Sequence, residues 1–230
     1  MHAFLCDSLF FGSLLTIAAY ALGMLIKRKL KLAIFNPLLI ATLCIIGFLS
    51  VTKVNYETYQ KGSQLISYLL TPATVCLAVP LYEQLSVLKK HPKAILLGLL
   101  SGVLSAMVCI WGLSALFGLT HEQYVTLLPK SITAAIGMGL SKELGGIVSL
   151  TIVSILVTGI VGIITAKALF QLLHIHEPLA KGLAMGTSCH AIGTTKAMEM
   201  GEVEGAMSSL AIVGAGLLTV VAASFFSQLL

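Results

Sequence analysis

Two lysines lie where lysine is costly. Lys130 and Lys196 fall within stretches bordered by long apolar runs, and a lysine at the centre of a bilayer costs ~2.5–3.5 kcal/mol on insertion scales. Around Lys130 stand Pro129, Ser131 and Thr133; around Lys196 stand His190, Thr194, Thr195 and Glu199. An ammonium flanked by hydroxyls and by the positive ends of half-helices attracts a small anion. The competing reading is a lysine whose long stem lets its charge snorkel to the interface. His190 has two readings as well, a proton carrier with an ordinary pKa of ~6.5 or a hydrogen-bonded packing residue. Glu199 either pairs with Lys196 at the i, i+3 spacing or accepts a coupling proton, while Glu202 and Glu204 read as a solvated acidic end.

Enzyme chemistry is not written here. Ser188 and His190 are close in sequence, but Asp7 is the only aspartate, and there is no nucleophile elbow, P-loop, HExxH or dinucleotide fingerprint. The five cysteines (Cys6, Cys44, Cys76, Cys109 and Cys189) are scattered without a CxxC pair. Neither they nor His174, His176 and the Cys189-His190 pair give zinc-ligand spacing. No metal, no cofactor and no enzyme activity are expected.

The elements that position these residues follow from composition. The chain has 230 residues, 57% apolar and only 10% charged, and a mean hydropathy of +1.00. Soluble domains carry about a quarter charged residues, so the solvent of this chain is lipid, and ~20 apolar residues per crossing leave no length for a soluble catalytic domain. The net charge of +5 reads as topology and not as nucleic-acid binding, because Lys27-Arg28-Lys29-Lys31 and Lys89-Lys90-Lys93 are clusters of the kind retained in cytoplasmic loops. The basic residues follow the first apolar run, which makes it an uncleaved anchor with its N-terminus outside.

Apolar runs predict spans over 9–26, 32–51, 63–82, 94–119, 147–173 and 206–230. Asn36-Pro37 and Thr71-Pro72 interrupt two of them, as cavity-facing helix breaks or as packing kinks. Between the later runs, 124–142 and 182–204 hold too many Gly, Pro, hydroxyl and charged residues for plain spans. Irregular backbone at membrane depth survives only in protein or beside a water-filled cavity. An offset of 60 residues superposes Gly145, Ser149, Leu150, Ile152 and Val153 on Gly205, Ser209, Leu210, Ile212 and Val213, with Lys130 over His190. The reading is an all-α polytopic membrane protein, one domain over 1–230: four spans in 1–119, then repeated hairpin-plus-helix units at 124–173 and 182–230. Six full spans plus two re-entrant or broken helices make the repeats inverted; eight full spans make them parallel. The positive-inside rule favours the inverted arrangement.

Several motifs together resemble the LrgB/CidB membrane protein family: LPKSIT at 128–133, GTSCHAIGTTK at 186–196, EMGEVEGAMSSLA at 199–211, Asn36-Pro37, YLLTPATVCLAVPLY at 68–82, KELGGIVSLT at 142–151 and PLAKG at 178–182. The family often continues its first motif with Thr-Pro, where this chain has Ala134-Ala135. The resemblance implies two functions. One is transport of small monocarboxylates such as pyruvate, glycolate or glycerate. The other is holin- or antiholin-like control of murein hydrolase activity and lysis. It also implies a bacterial cytoplasmic membrane, a small LrgA/CidA-like partner and homo-oligomers. The substrate-binding set expected is Lys130, Ser131, Thr133, His190, Thr194, Thr195 and Lys196, with His190 and Glu199 as the proton-coupling candidates.

Overall fold

The computed structural model describes residues 10–30, 37–69, 72, 75–76, 82 and 85–230. The described chain is helical, with no strand. It divides into two units, Met1–Cys76 and Leu77–Leu230.

In the first unit α1 (Phe11–Leu30) ends in Lys27, Arg28 and Lys29, cations that complement the negative end of the helix dipole. α2 (Pro37–Thr52) packs along it, and Gly23 permits the approach: a Cβ there would sit 2.6 Å from the Pro37 carbonyl oxygen. α3 (Tyr56–Gly62) is capped by the Asn55 side chain, which accepts from the Glu57 N–H, and α4 (Gln64–Tyr68) follows. Ser13 Oγ donates to the Gly62 carbonyl at 2.9 Å, and Thr16 Oγ1 lies 2.8 Å from the Tyr59 hydroxyl. Among the described residues four helices are long and apolar enough to cross a membrane: Phe11–Leu30, Pro92–Phe117, Val148–Leu172 and Glu202–Leu229. Pro37–Thr52 is a shorter apolar helix. Of the expected span over 63–82, residues 70–71, 73–74 and 77–81 lie outside the described residues, as does Asn36; Thr71 is among them, Pro37 opens α2, and Pro72 occupies a helical position.

The second unit opens with α5 (Leu85–Lys90) and the long α6 (Pro92–Phe117). α6 starts on a proline, whose missing N–H would be unpaired there anyway, and stops at Gly118, left-handed at φ +61°. Thr120 and Gln123 form a reciprocal capping box on α7 (His121–Leu127). The helix then tightens through Leu128–Ser131 and breaks around Pro129. Ile132 and Thr133 are extended, and α8 (Ala134–Glu143) begins. α8 runs back past the 128–131 turn, and the segment after it returns to the end of α7: a Cβ on Gly137 would meet Pro129, and one on Gly146 would meet both Ser141 and Thr126. This is a re-entrant hairpin with its tip at 130–133. Thr151 Oγ1 closes its base, 2.9 Å from the Thr126 carbonyl and 2.7 Å from Ser141 Oγ. Gly145, at φ +80°, then turns the chain into α9 (Val148–Leu172).

The same form recurs in α10 (Pro178–Met200), whose backbone breaks at His190, φ 44° and ψ −139°. In a straight helix residues 182 and 198 would stand ~24 Å apart. Here both reach the start of α11 (Glu202–Phe226): a Cβ on Gly182 would lie 2.5 Å from the Glu204 carbonyl oxygen, and one on Gly205 would lie 2.9 Å from Met198 Cγ. Within the helix, a Cβ on Gly193 would lie 2.5 Å from the Met185 carbonyl oxygen. The ingoing limb 178–189 and the returning limb 191–200 therefore lie side by side. Glycine at 182, 186, 193 and 205 lets three helical segments touch at backbone distance, the small-residue packing that replaces the hydrophobic effect inside lipid.

Three full-length helices set the direction of the two hairpins. At one end Ile95 and Leu99 of α6 pack with Leu183, Ala206 and Met207 around the second hairpin. At the other, Met107 and Ile110 of α6 pack with Tyr124, Leu128 and Ile132 of the first, and Tyr124 donates its hydroxyl to the Phe226 carbonyl of α11 at 2.7 Å. Along α9, Ile155 meets the first hairpin near Gly137, while Ala166 packs with Met185 and Ala197 of the second. The hairpins thus enter from opposite ends and meet near half-depth.

Candidate functional site

The two tips converge on the middle of α9. His190 is buried, and its Nε2–H donates to the Ile155 carbonyl at 3.0 Å. α9 carries glycine where the second tip presses on it: a Cβ on Gly159 would lie 2.9 Å from Ile192 Cδ1 and 3.1 Å from the His190 ring, and one on Gly162 would collide with Cys189 Sγ.

Beside this contact lies a cavity of about 350 Å³, lined by Lys130 from the first tip, Ser188 and Cys189 from the second, and Val157, Thr158, Val161 and Gly162 from α9. Lys130 is half-buried, with Nζ 3.5 Å from Ser131 Oγ. Among the described residues no carboxylate pairs with it. Both returning limbs begin at the tips, so their first-turn N–H groups, unpaired within the helix, and their positive dipole ends stand at this depth. Thr133 is the N-cap residue of α8 without a side-chain capping bond. One ammonium, two helix starts and the Thr158 hydroxyl make the surroundings of Lys130 suited to a small anion, while the Ser188 hydroxyl donates to the Ala184 carbonyl at 2.6 Å.

The other expected site residues separate. Ser131 and Pro129 are buried in the first tip. Thr194 is fully buried one turn beyond His190, where its Oγ1 donates to the His190 carbonyl at 3.1 Å and lies 2.8 Å from Ser208 Oγ. It joins the returning limb to α11 and does not line the Lys130 cavity. Thr195 is exposed, its hydroxyl turned onto the Ile192 carbonyl. Lys196 pairs with Glu199 at 2.7 Å and lines a different cavity, near the base of the second hairpin. Glu204, read from the sequence as solvated, is only 9% exposed, because the ingoing limb packs over it at Gly182. Sequence reasoning missed Gly159, Gly162 and Thr158. In an apolar run they look like ordinary small residues, and only contact with the second tip gives them a role. Among the described residues no three His, Cys, Asp or Glu side chains cluster as metal ligands do.

The model of the LrgB-like family matches residues 16–229. The chain is 38% identical over 200 residues to the holin-like protein CidB of Staphylococcus epidermidis, covering 87% of each chain. It is 34% identical over 222 residues to the antiholin-like protein LrgB of Bacillus subtilis, covering 96% of each. A further Bacillus subtilis relative, the uncharacterized protein YxaC, is 37% identical over 216 residues, 94% of this chain and 92% of its own. No solved structure matches the chain at a significant level.

Proposed function

The chain belongs to the LrgB-like family, and from that premise we propose that it is a holin-like or antiholin-like protein of a bacterial cytoplasmic membrane, bearing on murein hydrolase activity and lysis. The names of its relatives carry this reading, CidB as holin-like and LrgB as antiholin-like. The test is expression in a host lacking its own family members, with lysis and murein hydrolase activity followed after an energy poison. The expected result is a lysis rate shifted from the empty-vector control. Identical curves would reject the reading.

One observation favours a second reading, which names a molecular activity beneath such a phenotype. Lys130 sits at the meeting point of two oppositely directed hairpins, beside the starts of two returning limbs. Broken helices at half-depth are the usual substrate site of secondary transporters. In this reading the protein carries small monocarboxylates, such as pyruvate or glycolate, the carboxylate pairing with Lys130 and the hairpins alternately opening the site to each side. Rocking of one repeat unit, 124–173, against the other, 182–230, gives the alternating access. The basic end of the molecule, with Lys93, Lys167 and Lys181, faces the cytoplasm by the positive-inside rule, and an LrgA/CidA-like partner completes the system. Saturable uptake by proteoliposomes is the expected observation. Dye leakage that scales with oligomerisation, without saturable uptake, would leave only a pore.

A further inference from the structure

A second cavity, of about 380 Å³, opens between α9 and α10 at the base of the second hairpin. Its inner wall is apolar, with Ile163 and Phe170 from α9, and its polar lining includes Lys167, Lys181, Lys196, His176 and the carboxylate of Glu204. Lys196 is shared with Glu199. No hydrogen bond or ion pair links the side chains of Lys167, Lys181 or Glu204 to other described residues.

Depth narrows the occupant. Lys167 is five residues from the end of α9, Lys181 three from the start of α10, Lys196 four from its end and Glu204 two from the start of α11. At 1.5 Å per residue all lie within about 8 Å of the helix ends, and the headgroup and acyl boundary occupies such a depth. A free anion would gain nothing from the apolar wall. A lipid places its glycerol and first methylenes there while its phosphate meets the lysines. Basic pockets between helices at the cytoplasmic face bind anionic headgroups in this way. Glu204 adds a condition: a carboxylate beside a bound phosphate needs a donor, and headgroup hydroxyls provide one.

We propose that this cavity binds one anionic phospholipid whose headgroup is a hydroxyl-bearing phosphodiester, its phosphate on Lys167 and Lys181 and its hydroxyls on Glu204. The site is independent of the Lys130 cavity and of either function above.

The experiment uses the full chain in nanodiscs of equal phosphatidylglycerol and phosphatidylcholine, followed by release and native mass spectrometry of retained lipid. Wild type retains phosphatidylglycerol over phosphatidylcholine by about tenfold, the scale of one to two lysine–headgroup attractions at a membrane surface. Lys167→Gln/Lys181→Gln loses the preference, whereas Lys142→Gln, at the base of the first hairpin, keeps it. In a second set of nanodiscs, of equal phosphatidylglycerol and phosphatidic acid, which lacks the hydroxyls, wild type retains phosphatidylglycerol in excess and Glu204→Gln lowers that excess. Equal retention of the two lipids by wild type, or an undiminished preference in the double variant, would overturn the proposal without touching the transport and lysis tests. Displacement of the lipid by millimolar inorganic phosphate would assign the lysines to a free anion and overturn it as well.

Discussion

His190 donates its Nε2–H to the backbone carbonyl of Ile155 at 3.0 Å. This bond fastens the second tip to α9 where the first hairpin also arrives. It is made by a residue at positive φ, a conformation that costs a non-glycine residue energy and that persists only where its surroundings hold it.

Removing that fastening should loosen the tip. His190→Ala forfeits a buried hydrogen bond, about 1 kcal/mol, and empties the space beside Gly159. Cys189, 3% exposed, is the reporter. With the other cysteines changed to serine, maleimide labelling of Cys189 is expected to be faster in His190→Ala than in the parent. An unchanged rate would mean that the bond does not hold the tip.

Glycine in α9 is expected to matter by position. Gly162→Val drives a branched side chain into Cys189 and Gly159→Ala crowds the His190 ring; overpacking of this kind costs roughly 1–3 kcal/mol. Gly112 in α6 has open space where its Cβ would stand, so Gly112→Ala is expected to be neutral or to stabilise by up to about 1 kcal/mol through helix propensity. Thermal unfolding in detergent should lower the midpoint for the first two and leave the third at or above wild type.

Thr194 and Ser208 form a buried hydroxyl pair at 2.8 Å. Thr194→Val strands the Ser208 hydroxyl, a loss of roughly 1–3 kcal/mol, and Ser208→Ala leaves Thr194 with its bond to the His190 carbonyl. The expected result is a non-additive cycle, with Thr194→Val/Ser208→Ala less destabilised than the sum of the single variants. Additive losses in thermal unfolding would show that the two hydroxyls act separately.

The sequence made the broken elements legible because the bilayer penalises polarity so heavily. Lys130 and His190 stand out in their apolar surroundings, and both prove to be hairpin tips. The inward partners were legible only in part. Lys196 is as conspicuous in the sequence as Lys130, yet the returning limb carries it about 9 Å from the tip at the helical rise and pairs it with Glu199. Gly159 and Gly162 carry no local signal, since a glycine in a span reads alike whether it faces lipid or a crossing tip. Burial of Glu204 was hidden for a similar reason: acidic residues at a helix start suit the dipole in water, and only the close pass of Gly182 encloses this one.

The claim that the meeting of the hairpin tips forms an anion site is tested most directly by uptake of labelled pyruvate and glycolate into proteoliposomes of wild type, Lys130→Ala and Lys196→Ala. Loss of a charge-assisted contact, about 1.5–3 kcal/mol, corresponds to uptake reduced roughly tenfold or more in Lys130→Ala. Lys196→Ala should show the smaller reduction, with all three proteins inserted equally. Saturable uptake in wild type that survives in Lys130→Ala, or no saturable uptake by wild type with or without an LrgA/CidA-like partner, would contradict the claim.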